Sequence, residues 1–338
     1  MRRKSVLLMV ALVAMMILAA CGSKSQEDVV ADLNEKVAGM KGYKAQAKMT
    51  LQVGEEAQTY DVEVWNKEHN FYRVELKTPK KDQSQMILKN ESGVYVLTPA
   101  LNKSFRFQGD WPKNSSQAYL YESLVKDIIE DKEAKFKETD KYYVFETKTR
   151  YQNSQMLPLQ EITLSKKDLS PVSVKVMDTD RNPLVKVEFS KMDFNSSFEK
   201  ASFDMKKNMT GAQLEVAVSA ETDNNEFSVQ YPLAEISGTK FLEENEVVTD
   251  AGKRVVLTYG GEKSFTLVQE KAEVIPTASI ETTDVNGEMV DLGFTIGAMT
   301  DRSISWTYEG VDYMLASEDL SQEEMITIAR SVQGGSEK

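Results

Sequence analysis

The feature that most constrains this fold is a strict alternation of apolar and polar side chains near the start of the chain. Six apolar residues occupy every second position of one stretch: Tyr43, Ala45, Ala47, Met49, Leu51 and Val53. Neighbouring side chains of a strand point to opposite faces of its sheet. The pattern therefore predicts a long antiparallel strand with one buried face and one wet face.

Similar stretches follow this strand in sequence. They predict strands at Tyr60–Val64, Tyr72–Leu76, Met86–Leu88, Val94–Val96, Lys103–Gln108, Tyr142–Lys148, Leu159–Leu164, Val172–Met177 and Val185–Phe189. About ten consecutive strands favour one curled antiparallel sheet or a barrel. Two helices accompany them, an amphipathic one within Lys24–Lys41 and a strongly apolar one within Asn114–Glu130.

The pattern changes near residue 220, where a polar stretch predicts a boundary between a domain of residues 21–220 and one of residues 221–338. In the second domain we expect strands at Phe227–Gln230, Arg254–Tyr259, Ser264–Gln269, Ser303–Tyr308 and Tyr313–Ala316. A closing helix begins at Ser321, which forms a capping box with Glu324. The fold class is therefore mainly β, with a smaller C-terminal α+β domain.

Composition excludes several classes of function. The 53 acidic residues outnumber the 41 basic ones, and the resulting net charge of -12 argues against a nucleic-acid partner. The single His69 and single Cys21 are too few for the usual metal, haem or iron-sulfur sites. No nucleophile-base pair is evident around them. The sequence therefore predicts a protein that is not an enzyme and that has no cofactor.

The N-terminus has the layout of an export signal. The basic residues Arg2, Arg3 and Lys4 precede an apolar run from Val6 to Ala20, which is too short to span a bilayer as a helix. Small residues before Cys21 resemble the lipobox of bacterial lipoproteins. That resemblance implies that residues 1–20 are a signal peptide and that lipidated Cys21 anchors the chain to the outer face of the cell membrane.

A curled sheet has a concave face, and the apolar helix can pack against that face in two ways. It fills the concavity as core, or it acts as a lid over a pocket for an acyl chain or another hydrophobic ligand. The small side chains of Ala45 and Ala47 favour a pocket. Its expected lining is Ala45, Ala47, Met49, Leu51, Val62, Val64 and Trp65 on strands, with Tyr121, Leu124 and Ile128 on the helix. Trp65 fits a cavity mouth and a core position equally well.

Several local segments carry a resemblance to a known group. Val64–Lys67, Phe71–Leu76, Met86–Pro99, Gln160–Met177 and Val185–Phe194 resemble the LolA, LolB and LppX lipoprotein carriers and lipid-binding envelope proteins. The resemblance covers residues 26–207. It implies an unclosed antiparallel β-barrel of about eleven strands, lidded by helices around a hydrophobic cavity. Where the carrier LolA has an Arg that helps to latch its lid, this sequence has Glu68, which puts the transfer of lipoproteins in question.

The C-terminal part adds a second resemblance. Trp306–Gly310 and the Ser321–Val332 helix resemble a small domain appended to Gram-positive envelope proteins, and the combined layout resembles the YdcC-type lipoproteins of spore-forming bacteria. The first hypothesis is thus an envelope lipoprotein that binds an acyl chain, lipid or lipidated peptide. The alternative is a protein-interaction or envelope-sensing module with a protein partner in the envelope.

Overall fold

The computed structural model describes residues 24–53, 56–78, 84–107, 111, 116–216, 227–249, 252–273, 282–285 and 287–332. Below, the first unit is the described part of residues 24–216, and the second unit is that of residues 227–332. Within these ranges, no helix combines the length and the apolar character needed to cross a membrane.

Eleven consecutive strands build the first unit. They are β1 (Gly42–Val53), β2 (Glu56–Lys67), β3 (Phe71–Lys77), β4 (Ser84–Asn90), β5 (Gly93–Thr98), β6 (Lys103–Phe107), β7 (Lys135–Glu138), β8 (Tyr142–Lys148), β9 (Leu159–Ser165), β10 (Pro171–Met177) and β11 (Pro183–Asp193). They pair antiparallel in the order β6-β5-β4-β3-β2-β1-β11-β10-β9-β8-β7. Because β6 and β7 do not pair with each other, the sheet is unclosed. The predicted fold class is confirmed.

The inner face of this sheet carries the apolar rows that the alternation predicted. Ala45 lies opposite Val64, which in turn lies opposite Val74 on β3. The row continues through Ile87 of β4 to Val96 of β5. All five side chains are buried in one core. The period-two pattern of the sequence thus corresponds directly to one face of the sheet.

Two helices pack on the inner face. The helix α1 (Gln26–Gly39) begins at the predicted capping box, in which Ser25 and Asp28 exchange hydrogen bonds. The helix α2 (Tyr121–Glu130) is shorter than predicted, because residues 116–120 form a non-helical segment, with a turn at residues 118–119, before it begins. In this segment the Ser116 hydroxyl donates to Asp127 at 2.8 Å. This side-chain bond holds the chain in a non-helical path before α2 begins.

The outer face is partly covered by a helix that the sequence did not predict. Its range, α3 (Met205–Val216), includes Met209 and Ala212, which pack against the outer side chains of β3 to β5 together with Phe203. β3 to β5 are therefore buried on both faces along most of their length. The weak apolar stripe of α3 explains why it escaped a search for helical periodicity.

The second unit contains a sheet of seven strands and one helix. The strands are β12 (Thr239–Thr249), β13 (Gly252–Gly261), β14 (Phe265–Lys271), β16 (Glu288–Asp291), β17 (Ile296–Met299), β18 (Ser303–Tyr308) and β19 (Val311–Ala316), in the order β12-β13-β14-β19-β18-β17-β16. The helix α4 (Gln322–Ser331) has the predicted capping box at Ser321 and Glu324.

The strand predicted at Phe227–Gln230 is wrong. That segment belongs to neither sheet. The backbone of Gln230 instead exchanges two hydrogen bonds with the side-chain amide of Gln269, at 2.8 and 2.7 Å. A side chain of β14 therefore takes the place of a neighbouring strand.

One short strand joins the two units. The strand β15 (Thr282–Val285) comes from the second unit but pairs parallel with β6, so the first sheet has twelve strands. Arg106 reinforces this pairing with two hydrogen bonds to the carboxylate of Asp284, at 2.6 and 3.1 Å. The domain boundary near residue 220 stays a prediction, because residues 217–226 lie outside the described ranges.

Candidate functional site

The predicted pocket lining lies in the packed core of the first unit. Nine of its ten side chains are only 0 to 8% exposed: Ala45, Ala47, Met49, Leu51, Val62, Val64, Tyr121, Leu124 and Ile128. They contact one another and the large buried side chains of Tyr43, Tyr60 and Phe145. A ligand-sized cavity would leave accessible surface on its walls. At these positions the concavity is therefore filled with core, the first of the two placements open to the apolar helix.

Trp65, the tenth predicted residue, lies on the opposite face of the sheet. Because Val64 points inward, its neighbour Trp65 must point outward. The indole ring stacks on Phe198 with ring centroids 4.9 Å apart. The Arg73 guanidinium lies 4.5 Å from the indole centroid, and Lys44 lies on the same ring at 5.0 Å. The prediction that Trp65 lines the cavity is corrected accordingly.

A carboxylate that the sequence analysis missed lies beside the core. Glu122, in the first turn of α2, accepts a hydrogen bond from the Tyr43 hydroxyl at 2.9 Å. Burial raises the pKa of Glu122 to about 7, although hydrogen bonds from Tyr43 and Tyr72 act to lower it. In the sequence, the only signal that Glu122 would be buried was its position next to the apolar stripe of α2. Glu122 thus titrates near neutral pH, inside the first unit.

The second unit covers the open side of the inner face. The Tyr60 and Tyr308 hydroxyls lie 3.2 Å apart across the boundary. Gln85 donates to Thr295 at 2.8 Å and accepts from the backbone N–H of Ile296 at 3.0 Å. One continuous hydrophobic core spans both units. The concave face is therefore closed largely by the second unit, in addition to α1 and α2.

This covering leaves a junction cavity of about 330 Å³ between β5, β6 and the second sheet. Its apolar walls include Val96, Phe107 and Trp306. Lys103 of β6 and Asp312 of β19 form an ion pair across it, with 2.6 Å between Nζ and the carboxylate. Hydroxyl groups of several Ser and Thr residues also border it. The mixed lining is a poor match for a purely apolar ligand.

A second opening, the apolar groove, lies where the ends of β1 and β11 meet the second unit. It has a volume of about 300 Å³. Its aliphatic walls come from both units: Leu51, Met156, Leu157, Leu184, Val185, Leu233 and Leu292. Leu51 is thus the one predicted lining residue that also borders open space here. Gly293 (φ +89°) lies against Leu51, and an added Cβ there would come within 3.3 Å of a Leu51 methyl carbon.

A guanidinium group borders the apolar groove. Arg330 of α4 donates to the backbone carbonyl of Asp291 at 2.8 Å, and its guanidinium lies 5.7 Å from the Tyr151 ring centroid. Its Nε atom is buried and has no hydrogen-bond partner among the described residues. Burial lowers the pKa of Arg330, and burial raises that of Asp291. The groove therefore combines mostly apolar walls with a guanidinium group at its border, an arrangement suited to an apolar chain with a polar end.

Other predicted features lie elsewhere. Cys21 and residues 1–20 fall outside the described residues. Glu68 lies in the turn between β2 and β3, where its backbone N–H donates to the carbonyl of Lys41 at 2.8 Å. Across the described ranges, no cluster of three or more His, Cys, Asp or Glu side chains is arranged to hold a metal ion.

Two comparisons with known proteins match this chain to the same family. A family model described as "Sporulation protein YdcC-like" matches residues 2–203. The sporulation protein YdcC of Bacillus subtilis (strain 168) is 59% identical over 337 residues, which cover 100% of this chain and 99% of that relative.

Two solved structures show a distant likeness to this chain. A LolA superfamily protein from Nitrosomonas europaea is 11% identical with a TM-score of 0.29, covering 53% of this chain and 98% of that one. The MucA/MucB complex of Pseudomonas aeruginosa gives 12% identity and a TM-score of 0.32, covering 90% and 96%. Likenesses of this size support no inference about function.

Proposed function

Because this chain belongs to the sporulation protein YdcC-like family, we propose that it is a non-enzymatic envelope protein of sporulation that binds an acyl chain, a lipid or a lipidated peptide. The ligand lies in the apolar groove and not in the interior of the first unit, whose concavity is filled by its own side chains. The observation that carries this proposal is the predominantly apolar wall of that groove.

Burial of apolar surface supplies the affinity. Each methylene group that moves from water into such a lining contributes about 0.8 kcal/mol. The volume of about 300 Å³ is at the lower end of the range for small-molecule sites. The Arg330 guanidinium at the border of the groove fits a carbonyl or carboxylate oxygen at the polar end of the ligand. The proposal therefore assigns the chain to the groove walls and the polar end to α4.

The test fills the groove from its border. Ala234 lines the groove, whereas Ala201 is exposed on the first unit and does not line it. We expect Ala234→Trp to weaken binding of a dansyl-labelled fatty acid about tenfold, because the indole takes the volume that the chain needs. The matched control Ala201→Trp should bind as the unsubstituted protein does. Titration of the dansyl fluorescence with the full chain measures both.

A thermal melt recorded beside each titration separates loss of the groove from loss of the fold. If Ala234→Trp melts as the unsubstituted protein does and still binds the dansyl fatty acid with the original affinity, the groove is not the binding site. A weakened affinity in a folded variant supports it.

We further propose that Cys21 carries the lipid that holds the protein at the extracytoplasmic face of the membrane. The support is the order of basic residues, short apolar run and small residues before Cys21. A lipid anchor also suits the net charge of -12, since an acidic surface is repelled by anionic lipid headgroups. Membrane attachment then depends on the acyl chains alone.

Substitution of the cysteine tests this anchor. Cys21→Ala removes the thiol to which the lipid would be attached, so the variant should take up no label from a palmitate analogue and should accumulate as uncleaved precursor. Cells that express the unsubstituted chain at the same level provide the reference. Labelling that persists in Cys21→Ala would contradict the anchor.

A further inference from the structure

The strand β12 forms an unusually long free edge of the second sheet. It runs from Thr239 to Thr249, and within the described part of the chain its one neighbouring strand is β13. Its residues 240–248 are all exposed, and Val248 is 89% exposed. Eleven residues of strand extend over about 37 Å at the usual rise per residue. β12 is therefore long enough to receive another strand.

The other sheet edges in the described residues are short. The strand β16, at the opposite edge of the second sheet, has four residues, as do β15 and β7 at the two edges of the first sheet. Proteins commonly keep edge strands short because the unpaired backbone N–H and C=O groups bind other chains. β12 departs from that practice in its length, although a β-bulge between Phe241 and Glu243 and several charged side chains interrupt it. Among the described residues, only this edge leaves a long row of backbone groups without a neighbouring strand.

The side chains of β12 indicate which side chains an added strand would need in order to pair with it. Apolar side chains lie near both ends, with Phe241 and Leu242 at one and Val247 and Val248 at the other, all at least 47% exposed. Between them lie three exposed acidic residues, of which Glu244 accepts a hydrogen bond from the Tyr231 hydroxyl, Glu246 forms an ion pair with Lys253, and Glu243 is the third. A strand that pairs here meets negative charge at its centre and apolar surface at its ends.

Charge decides between a second copy and a different partner. If β12 paired with β12 of another copy, the carboxylates would face each other across strands about 4.8 Å apart. The net charge of -12 on each copy adds to that repulsion. We propose that β12 docks an extended segment of a partner protein that carries basic and apolar side chains, added as a further strand of the second sheet.

A peptide probe tests the proposal with the full chain in non-ionic detergent. The probe is an eight-residue peptide of alternating Lys and Val. Its control has the same sequence with every backbone amide N-methylated, which keeps the charges but removes the donors of a strand ladder. We expect the unmethylated peptide to bind about tenfold tighter in fluorescence anisotropy. It should also slow hydrogen exchange of the amides of residues 240–248.

A charge variant locates the interaction. Glu243→Lys should weaken binding of the Lys-Val peptide about threefold, because it sets like charges opposite each other across the new pair of strands. Glu35→Lys makes the same change at an exposed position on α1 and should leave the affinity unchanged. Equal binding of the two peptides, or slowed exchange outside β12, would overturn the proposal. Dimers of the protein without peptide, seen by sedimentation, would instead assign β12 to a second copy.

Discussion

The interior of the first unit and the apolar groove share Leu51 of the inner face but differ in how they are covered. In the interior, α2 lays Tyr121 and Leu124 directly onto the sheet, and both side chains are fully buried. At the groove, the cover comes from Leu233 and Leu292 of the second unit, and Leu233 is 45% exposed. A local helix thus fills its part of the concavity, whereas the distant cover leaves a gap. The comparison thus distinguishes, within one sheet, a region that is filled as core from a region that is left open to a ligand.

The largest expected effect comes from shortening one leucine in each region. Leu124→Ala removes buried methyl groups and leaves a cavity, so we expect the free energy of unfolding to fall by about 3 kcal/mol. Leu233→Ala removes the same atoms from a partly exposed wall, and its cost should stay near about 0.5 kcal/mol. Urea denaturation of both variants measures the difference. Similar losses at the two positions would show that the groove is as tightly packed as the interior.

A smaller effect concerns the pH dependence that Glu122 gives to the interior. Its folded-state pKa of about 7 lies above the ordinary value of 4.5. The folded protein therefore keeps a proton that the unfolded chain has lost, and the free energy of unfolding falls as the pH rises from 4.5 through 7. Glu122→Gln cannot ionise, so at pH 8 it should be about 1 kcal/mol more stable than the unsubstituted protein, a value reduced by partial solvent screening.

Tyr43→Phe provides the matched variant for this prediction. The Tyr43 hydroxyl donates to Glu122 and acts to lower its pKa. Without that donor, the decline in stability should extend to higher pH. Urea denaturation at pH 5 and pH 8 tests both variants. The assignment of the pH dependence to Glu122 fails if Glu122→Gln loses as much stability between these pH values as the unsubstituted protein does.

Much of the first sheet was predictable from alternation alone, because a half-buried strand repeats with period two. The bounds of Tyr142–Lys148 and Ser303–Tyr308 match the observed strands residue for residue. Alternation also fixes which residues share a face, and applying that rule strictly to Val64 and Trp65 would have placed Trp65 outside. β12 was missed because its run of carboxylates has no apolar face to detect.

The candidate groove was less predictable for a physical reason. Its walls come from segments as distant in sequence as Leu51, Leu184 and Leu292, and these approach only after two sheets have packed. The sequence around each of the three does not distinguish it from an ordinary apolar residue. The same holds for Arg330, whose place beside Asp291 depends on the docking of α4. Local periodicity reports what a residue faces, but not which distant residue it meets.

The four-residue strand β15 has a practical consequence for anyone who would divide this protein. It supplies the outermost ladder of the first sheet, with Ser104 and Thr282 opposite each other at one end and Phe107 and Val285 at the other. A truncation after residue 220 would remove β15 from the edge of β6. It would also expose the apolar inner face that the second unit covers. The two units are therefore better regarded as a single folding body, in which the second unit completes the first.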